Sequence, residues 1–270
     1  MLFLGFDEVA CDDRQQELGG SVKLRSCAVI PAAGRGTRLG LDRPKILASL
    51  NDDETIWSVL RDKVLEIVDR VHVVLSPDGE AVFHAALKND PRMDRISTSV
   101  QPRPIGMGDA IFGCYDNWSG AECLLVIWGD QVFVSPQTLS GALSLHAASP
   151  KTVVLPVASL SQPYAEYVFG AEDTLIAVRQ SREGDACAPN GWNDIGTFVL
   201  SVTGLKPAWD AYLSRASLGE TTGEINFLPF LPFLAGHGWT VRRLVVTDAR
   251  EARGVNSIDD MVFFRSIPLR

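Results

Sequence analysis

Cys27-Ala28-Val29-Ile30-Pro31-Ala32-Ala33-Gly34-Arg35-Gly36-Thr37-Arg38-Leu39-Gly40 is the stretch on which the fold turns. Its four leading apolar residues read as a short buried strand, and Pro31 with the small residues behind it ends that strand in a glycine-rich loop. Downstream, Ile56, Val59, Leu60, Val64, Ile67 and Val68 recur at helical spacing, so 55–69 is expected as an amphipathic helix. Val71-His72-Val73-Val74-Leu75 is the next buried strand. The alternation goes on with a helix at 78–89, a strand at 96–100, a helix at 107–117, a strand at 123–128, a helix at 136–147 and a strand at 153–157. Strands alternating with helices in this way give an α/β fold, with a Rossmann-like, mostly parallel sheet and helices on both faces. Beyond residue 160 the rhythm weakens. Strands at 164–169, 174–179 and 195–202, helices at 205–215 and 227–234, and a strand at 239–246 describe a small, partly antiparallel lobe.

Composition narrows the class. The 270 residues are 46% hydrophobic and 21% charged, which is ordinary for a globular chain with a full core. The net charge of −8 argues against a nucleic-acid or anionic-membrane partner, since either needs a basic face. No apolar run approaches the ~18 residues of a membrane span. The opening MLFLGF runs straight into Asp7 and Glu8 and is too short for a signal peptide. Cys11, Cys27, Cys114, Cys123 and Cys187 contain no C-x-x-C pair, so a reducing cytoplasm fits better than a disulfide framework or zinc site. His72, His84, His146 and His237 form no ligand-like pair. Residues 1–25 read as an acidic extension and 26–270 as one domain; homo-oligomerisation is left open.

The glycine loop follows the first strand, where open α/β sheets bind ligands. Small residues let backbone N–H groups approach an anion closely. Arg35, Arg38, Arg43 and Lys45 oppose only Asp42, a cation cluster in an acidic protein that marks a phosphate site. It is not a Walker loop, because no Gly-Lys pair occurs, nor a dinucleotide fingerprint, because Leu39 holds the third glycine position.

Ala33-Gly34-x-Gly36-Thr37-Arg38, with Pro44-Lys45 following, resembles the signature of the sugar-phosphate nucleotidyltransferases. The short spacer is most similar to the uridylyltransferase domain that acts on N-acetylglucosamine 1-phosphate, and the motif is also similar to cytidylyltransferases of methylerythritol and choline phosphate metabolism. The resemblance spans about residues 26–262. It implies that Ala32, Ala33, Gly34, Gly36 and Thr37 cover a nucleotide, and that Arg38 and Lys45 hold the triphosphate. Gln101-Pro102-Arg103-Pro104-Ile105-Gly106-Met107-Gly108-Asp109 resembles the segment in which a glutamine reads the pyrimidine edge and a glycine lies beside the base. An amide offers a donor and an acceptor, as such an edge requires. Met107 and Asp109 replace the usual Thr and His.

Gly129-Asp130 closes the strongest strand, and Gly254-Val255-Asn256 lies near the C-terminus. By resemblance Asp130 and Asn256 share one Mg²⁺, an ion that takes few protein carboxylates and fills its shell with phosphates and water. Asp130 is thereby also a nucleotide contact. Asn256, just before Ser257 and a helix, is equally placed as a helix cap. Asp194, Glu224 and Gln180 fall where the family contacts its acceptor. The implied reaction joins UTP or CTP to a sugar 1-phosphate with release of pyrophosphate. A polyol or choline phosphate as acceptor, or a non-catalytic nucleotide-sugar binder, are the alternatives.

Overall fold

A computed structural model describes residues 25–34, 36, 40, 43–146 and 150–267. In chain order it runs β1 (Ser26–Ala32), α1 (Ile56–Leu65), β2 (Arg70–Leu75), α2 (Pro77–Leu87), β3 (Ile96–Val100), α3 (Met107–Gly113), α4 (Tyr115–Trp118), β4 (Cys123–Ile127) and α5 (Pro136–His146). The second half holds β5 (Thr152–Ser161), β6 (Ala165–Phe169), β7 (Leu175–Gln180), β8 (Asn190–Asp194), β9 (Thr197–Ser201), α6 (Leu205–Leu213), α7 (Phe230–Gly236), β10 (Thr240–Val245) and α8 (Ile258–Ser266).

The strands form one sheet in the order β3-β2-β1-β4-β9-β5-β8-β6-β7, with β10 beside β5. β1 pairs in parallel with β2 on one side and β4 on the other. The chain therefore winds outward in one direction, then returns past β1 to start in the other. The crevice at the strand ends between β1 and β4 is the switch point at which such sheets take ligands. Into it run Ala32–Gly34 from β1 and Gly129–Asp130 from β4.

Alternate residues of the central strands feed two cores. Ala28, Ile30, Leu125 and Ile127 pack with α1 residues such as Leu60 and Val64, and with Phe83 and Leu139. Cys27, Val29, Leu124 and Val126 pack on the opposite face with Phe112, Trp118, Trp209 and Phe230. A sheet covered on both faces needs apolar residues at every position, which is why these strands read as unbroken hydrophobic runs. Aromatic side chains fill the second core: Trp209 stacks on Phe112 at 4.2 Å between ring centroids, and Phe198 and Phe227 are fully buried. Cys27, Cys114 and Cys123 are buried free thiols, which burial pushes up to about 11, 12 and 12.

Four elements differ from the sequence reading. The helix expected at 107–117 is broken at Cys114, whose backbone leaves the helical region at φ −102° and ψ 26°. The strand expected at 195–202 starts later, at Thr197, because Gly196 at φ 70° turns the chain after Asp194. The polar run Asn190-Gly191-Trp192-Asn193-Asp194 is a strand because β5 and β6 pair with it from either side. The helix expected at 227–234 starts later, at Phe230, after a turn through Pro229.

Candidate active site

A cavity of about 770 Å³ opens at the β1/β4 switch point. Its walls include Ala32, Ala33, Gly34, Lys45, Gln101, Gly106, Asp130, Glu224 and Asn256, residues from widely separated parts of the chain. Gly36 adopts φ 62°, and a β-carbon there would come within 2.9 Å of the Lys45 Cβ. Glycine thus lets the loop lie directly against the lysine. Thr37 and Arg38 lie outside the described residues.

The electrostatic centre is Lys45. Its Nζ donates to Asp130 Oδ2 at 2.7 Å and to Asn256 Oδ1 at 2.8 Å. The partners are fixed through their backbones. The Asp130 carbonyl accepts from Val255 N at 2.9 Å, which ties the end of β4 to the Gly254–Asn256 segment. A β-carbon at Gly254 would stand 3.0 Å from the Asp130 carboxylate and 3.1 Å from Asn256 Nδ2, so a glycine keeps the two together. The cap of α8 is Ser257, not Asn256: Ser257 and Asp260 form a reciprocal capping box, and Asp260 also accepts from Asn256 N. The Asn256 side chain is left to face Lys45.

Two further contacts hold the loop after β4. Lys63 on α1 donates to the carbonyls of Val132 at 2.6 Å and Val134 at 3.1 Å, and Glu251 accepts from Ser135 N at 2.9 Å. Burial depresses the Lys63 ammonium below its ordinary value.

The fit of a divalent cation can be judged from what Lys45 does. One carboxylate oxygen and one amide oxygen converge on a single positive charge, a hard-oxygen donor set suited to Mg²⁺. Among the described residues no cluster of three or more His, Cys, Asp or Glu exists. Any ion here would therefore draw its remaining ligands from phosphates and water.

On the far side of the cavity, Gln101 is buried at the end of β3, and its Nε2 donates to Gly106 O at 3.0 Å and Asp109 Oδ2 at 2.8 Å. Both amide hydrogens are used within the protein, which leaves Oε1 as the group available to a ligand. Gly106, at φ 124°, lies on Ile225: a β-carbon there would sit 2.5 Å from the Ile225 carbonyl oxygen. Ile225 N donates to Ile105 O at 2.7 Å, and Gly108 N donates to Ile225 O at 3.2 Å. The Gln101–Gly108 loop is thus joined by backbone hydrogen bonds to the segment that carries Glu224.

The three expected acceptor residues fare differently. Glu224 lines the cavity and pairs with Arg182 at 2.9 Å. Asp194 is fully buried beneath the cavity wall and accepts from Gly196 N at 2.7 Å and Tyr167 Oη at 3.1 Å. Burial pushes its carboxyl up to about 6, against those two hydrogen bonds. Gln180 ends β7 outside the cavity lining, its backbone N–H bound to Asp185.

Sequence reasoning missed Gln131, Tyr164 and Arg182, which all line the cavity. Adjacency to Asp130 was the only signal for Gln131. Arg182 is oriented by Glu224, and its neighbour Glu183 organises the 219–226 loop. Burial would raise Glu183, but hydrogen bonds from the Thr222 hydroxyl, the Asn226 amide and two backbone N–H groups hold it down at about 2. None of the four histidines lines the cavity.

A nucleotide loop, a lysine and a paired carboxylate at the switch point of an α/β sheet define a nucleotidyltransferase. Residues 28–222 match the MobA-like NTP transferase domain, and the chain belongs to that family. It is 30% identical over 236 residues to the bifunctional protein GlmU of Acidithiobacillus ferrooxidans, covering 84% of this chain and 48% of that protein. Against the bifunctional protein GlmU of Corynebacterium glutamicum (strain R) it is 27% identical over 240 residues, covering 86% and 48%. The chain thus spans about half the length of these curated relatives. The crystal structure of 4-diphosphocytidyl-2C-methyl-D-erythritol synthase from Anaerococcus prevotii superposes with a TM-score of 0.61 at 13% identity, covering 90% of this chain and 96% of that one, a likeness of fold. Among the described residues no helix is long and apolar enough to cross a membrane.

Proposed function

We propose that the protein transfers a pyrimidine nucleotide from UTP or CTP to a sugar 1-phosphate and releases pyrophosphate. The observation that carries this reading is the Lys45 ammonium held between Asp130 and Asn256 at the floor of the cavity, beside the glycine loop. An acceptor phosphate oxygen attacks the α-phosphorus in line. The bond from that phosphorus to the bridging oxygen breaks, and pyrophosphate leaves with its electron pair. The second pKa of a phosphate monoester is about 6, so the nucleophile is ionised at neutral pH and needs no general base. A cavity without histidine accords with that.

Ala32, Ala33, Gly34, Gly36 and Thr37 cover the nucleotide in this scheme, and Arg38 and Lys45 stabilise charge on the triphosphate as it moves toward the leaving group. Asp130 and Asn256 are the residues that would hold Mg²⁺, which when bound screens the phosphates and polarises the α-phosphoryl group. Gln101 offers Oε1 to the base, where uracil N3–H or the cytosine amino group can donate. Glu224, backed by Arg182, faces the acceptor, with Asp194 as support from beneath and Gln180 at the lobe's outer edge.

Pyrophosphate release measured across the four nucleoside triphosphates and a panel of sugar 1-phosphates, with Mg²⁺, tests the proposal. Turnover with a pyrimidine triphosphate and a sugar 1-phosphate is expected. GTP or ATP used at least as well as both pyrimidines would overturn the base assignment, and no release with any pair would overturn the reaction.

A further inference from the structure

Gln131 is a residue of the cavity wall whose chemistry the reaction above leaves unused. It follows Asp130 directly, is only 3% exposed, and lines the cavity. Its Oε1 is sealed from solvent and has no hydrogen-bond partner. A buried amide oxygen without a donor is unfavourable, and folded proteins rarely keep one without reason. The surroundings are shaped to keep it. Gly196 turns at φ 70°, and a β-carbon there would lie 2.4 Å from Gln131 Cγ and 2.7 Å from its Nε2. The turn that seats the side chain is itself pinned by the Gly196 N to Asp194 hydrogen bond and by Trp128 N donating to Gly196 O at 2.8 Å. With one end of the amide sealed, the other is the end that can meet a ligand, and a half turn about the last bond, which exchanges oxygen and nitrogen, sets whether that end donates or accepts.

From this geometry we infer that Gln131 reads a hydroxyl group of the acceptor, close to the phosphate that attacks. The assignment rests on the nucleotidyl-transfer reading and narrows it. A hydroxyl both donates and accepts, as an amide does, and Gln131 stands beside the residue placed at the triphosphate. A polyhydroxylated phosphate, whether sugar or polyol, supplies such a group. Choline phosphate has none, so it is excluded as the preferred acceptor.

The test uses Gln131→Met, with Gln131→Leu as a second variant should the first not fold, in two measurements. Thermal unfolding without ligand should show Tm raised by about 2–4 °C, because the unpartnered amide is gone. Steady-state pyrophosphate release should show kcat/KM for the sugar 1-phosphate lowered about 10- to 100-fold, with KM for the triphosphate within about twofold. Wild type should lose a similar factor on one mono-deoxy analogue of that acceptor, and the variant should not distinguish it from the parent. A lowered or unchanged Tm, or a variant with wild-type acceptor kcat/KM, would overturn the role of Gln131 alone. Failure of the wild-type protein to release pyrophosphate with any acceptor would instead overturn the reaction and this assignment together.

Discussion

Replacing Lys45 by methionine keeps the length of the side chain and removes its charge, and two effects of opposite sign should follow. The ammonium lies 2.7 Å from Asp130 and 2.8 Å from Asn256, and the Lys45 and Asp130 side chains are 18% and 20% exposed. A partly solvated pair of this kind is worth no more than about 1 kcal/mol. Removing it should let the freed oxygens bind Mn²⁺, in nucleotide-free protein, up to about fivefold more tightly. The rate should move the other way. A preorganised charge facing the transferring phosphate typically contributes about 3–4 kcal/mol, so kcat should fall roughly 10²–10³-fold. KM for the triphosphate should change less, because the added charge develops only in the transition state. Calorimetric Mn²⁺ titration and steady-state pyrophosphate release read the two arms separately. A correctly folded Lys45→Met protein with wild-type kcat would refute the reasoning. Unchanged or weaker Mn²⁺ binding would show that Lys45 does not occupy the cation position of Asp130 and Asn256.

Three other outcomes follow from the geometry. Gly106→Ala forces a β-carbon to within 2.5 Å of the Ile225 carbonyl oxygen at a φ of 124°, a strain of about 1–3 kcal/mol that should lower Tm by several degrees; a melt by circular dichroism superimposable on wild type would contradict it. Asp109→Ala frees one Gln101 amide hydrogen and should weaken discrimination between UTP and CTP, measured as the ratio of their kcat/KM values; a ratio equal to wild type would remove Asp109 from base reading. Burial holds His72 down at about 4 between the Ser97 and Ser99 hydroxyls, so the folded state resists the proton that the unfolded chain takes up near pH 6.5. Stability should therefore decline as pH falls from about 6.5 toward about 4, and urea midpoints for His72→Asn should decline less over that window; parallel curves would exclude His72 as the source.

The nucleotide half was legible because its signals are local. Runs such as Cys123–Ile127 are apolar at every position only where both faces of a sheet are covered, and a glycine loop after the first such run marks a ligand edge. Lys45, Asp130 and Asn256 were each marked by a neighbouring glycine or proline, and the fold brings them together across 85 and 211 residues. The acceptor half was less legible. Asn190–Asp194 is a strand through its partners rather than its own propensity, so tertiary pairing overrode the local reading. Asp194 stood at a position expected to contact acceptor, but sequence spacing does not give depth, and the Tyr167 hydroxyl beneath the wall is its partner. Arg182 is a single polar residue with no motif around it, and Gln131 has only its place after Gly129-Asp130 to mark it. Only the cavity groups them.

The way β8 is attached has a consequence for how such proteins diversify. Within the sheet, β6 and β7 reach the main body only through β8, whose register with β5 runs from Val157–Asp194 to Ser161–Asn190. The strands that carry the glycine loop and Asp130 lie on the other side of β9. Outside the sheet the 162–189 segment is tied to the body again: Arg182 pairs with Glu224, Glu183 accepts from Thr222 and Asn226, and Asp173 pairs with Arg243 of β10. Residues 162–189 and the 219–226 loop are therefore coupled, because Glu183 holds that loop and Arg182 orients its Glu224. A change in the length of the β6–β7 hairpin leaves the register of β1 and β4 untouched, whereas a change at Arg182 or Glu183 reaches, through Ile225, the loop that begins at Gln101.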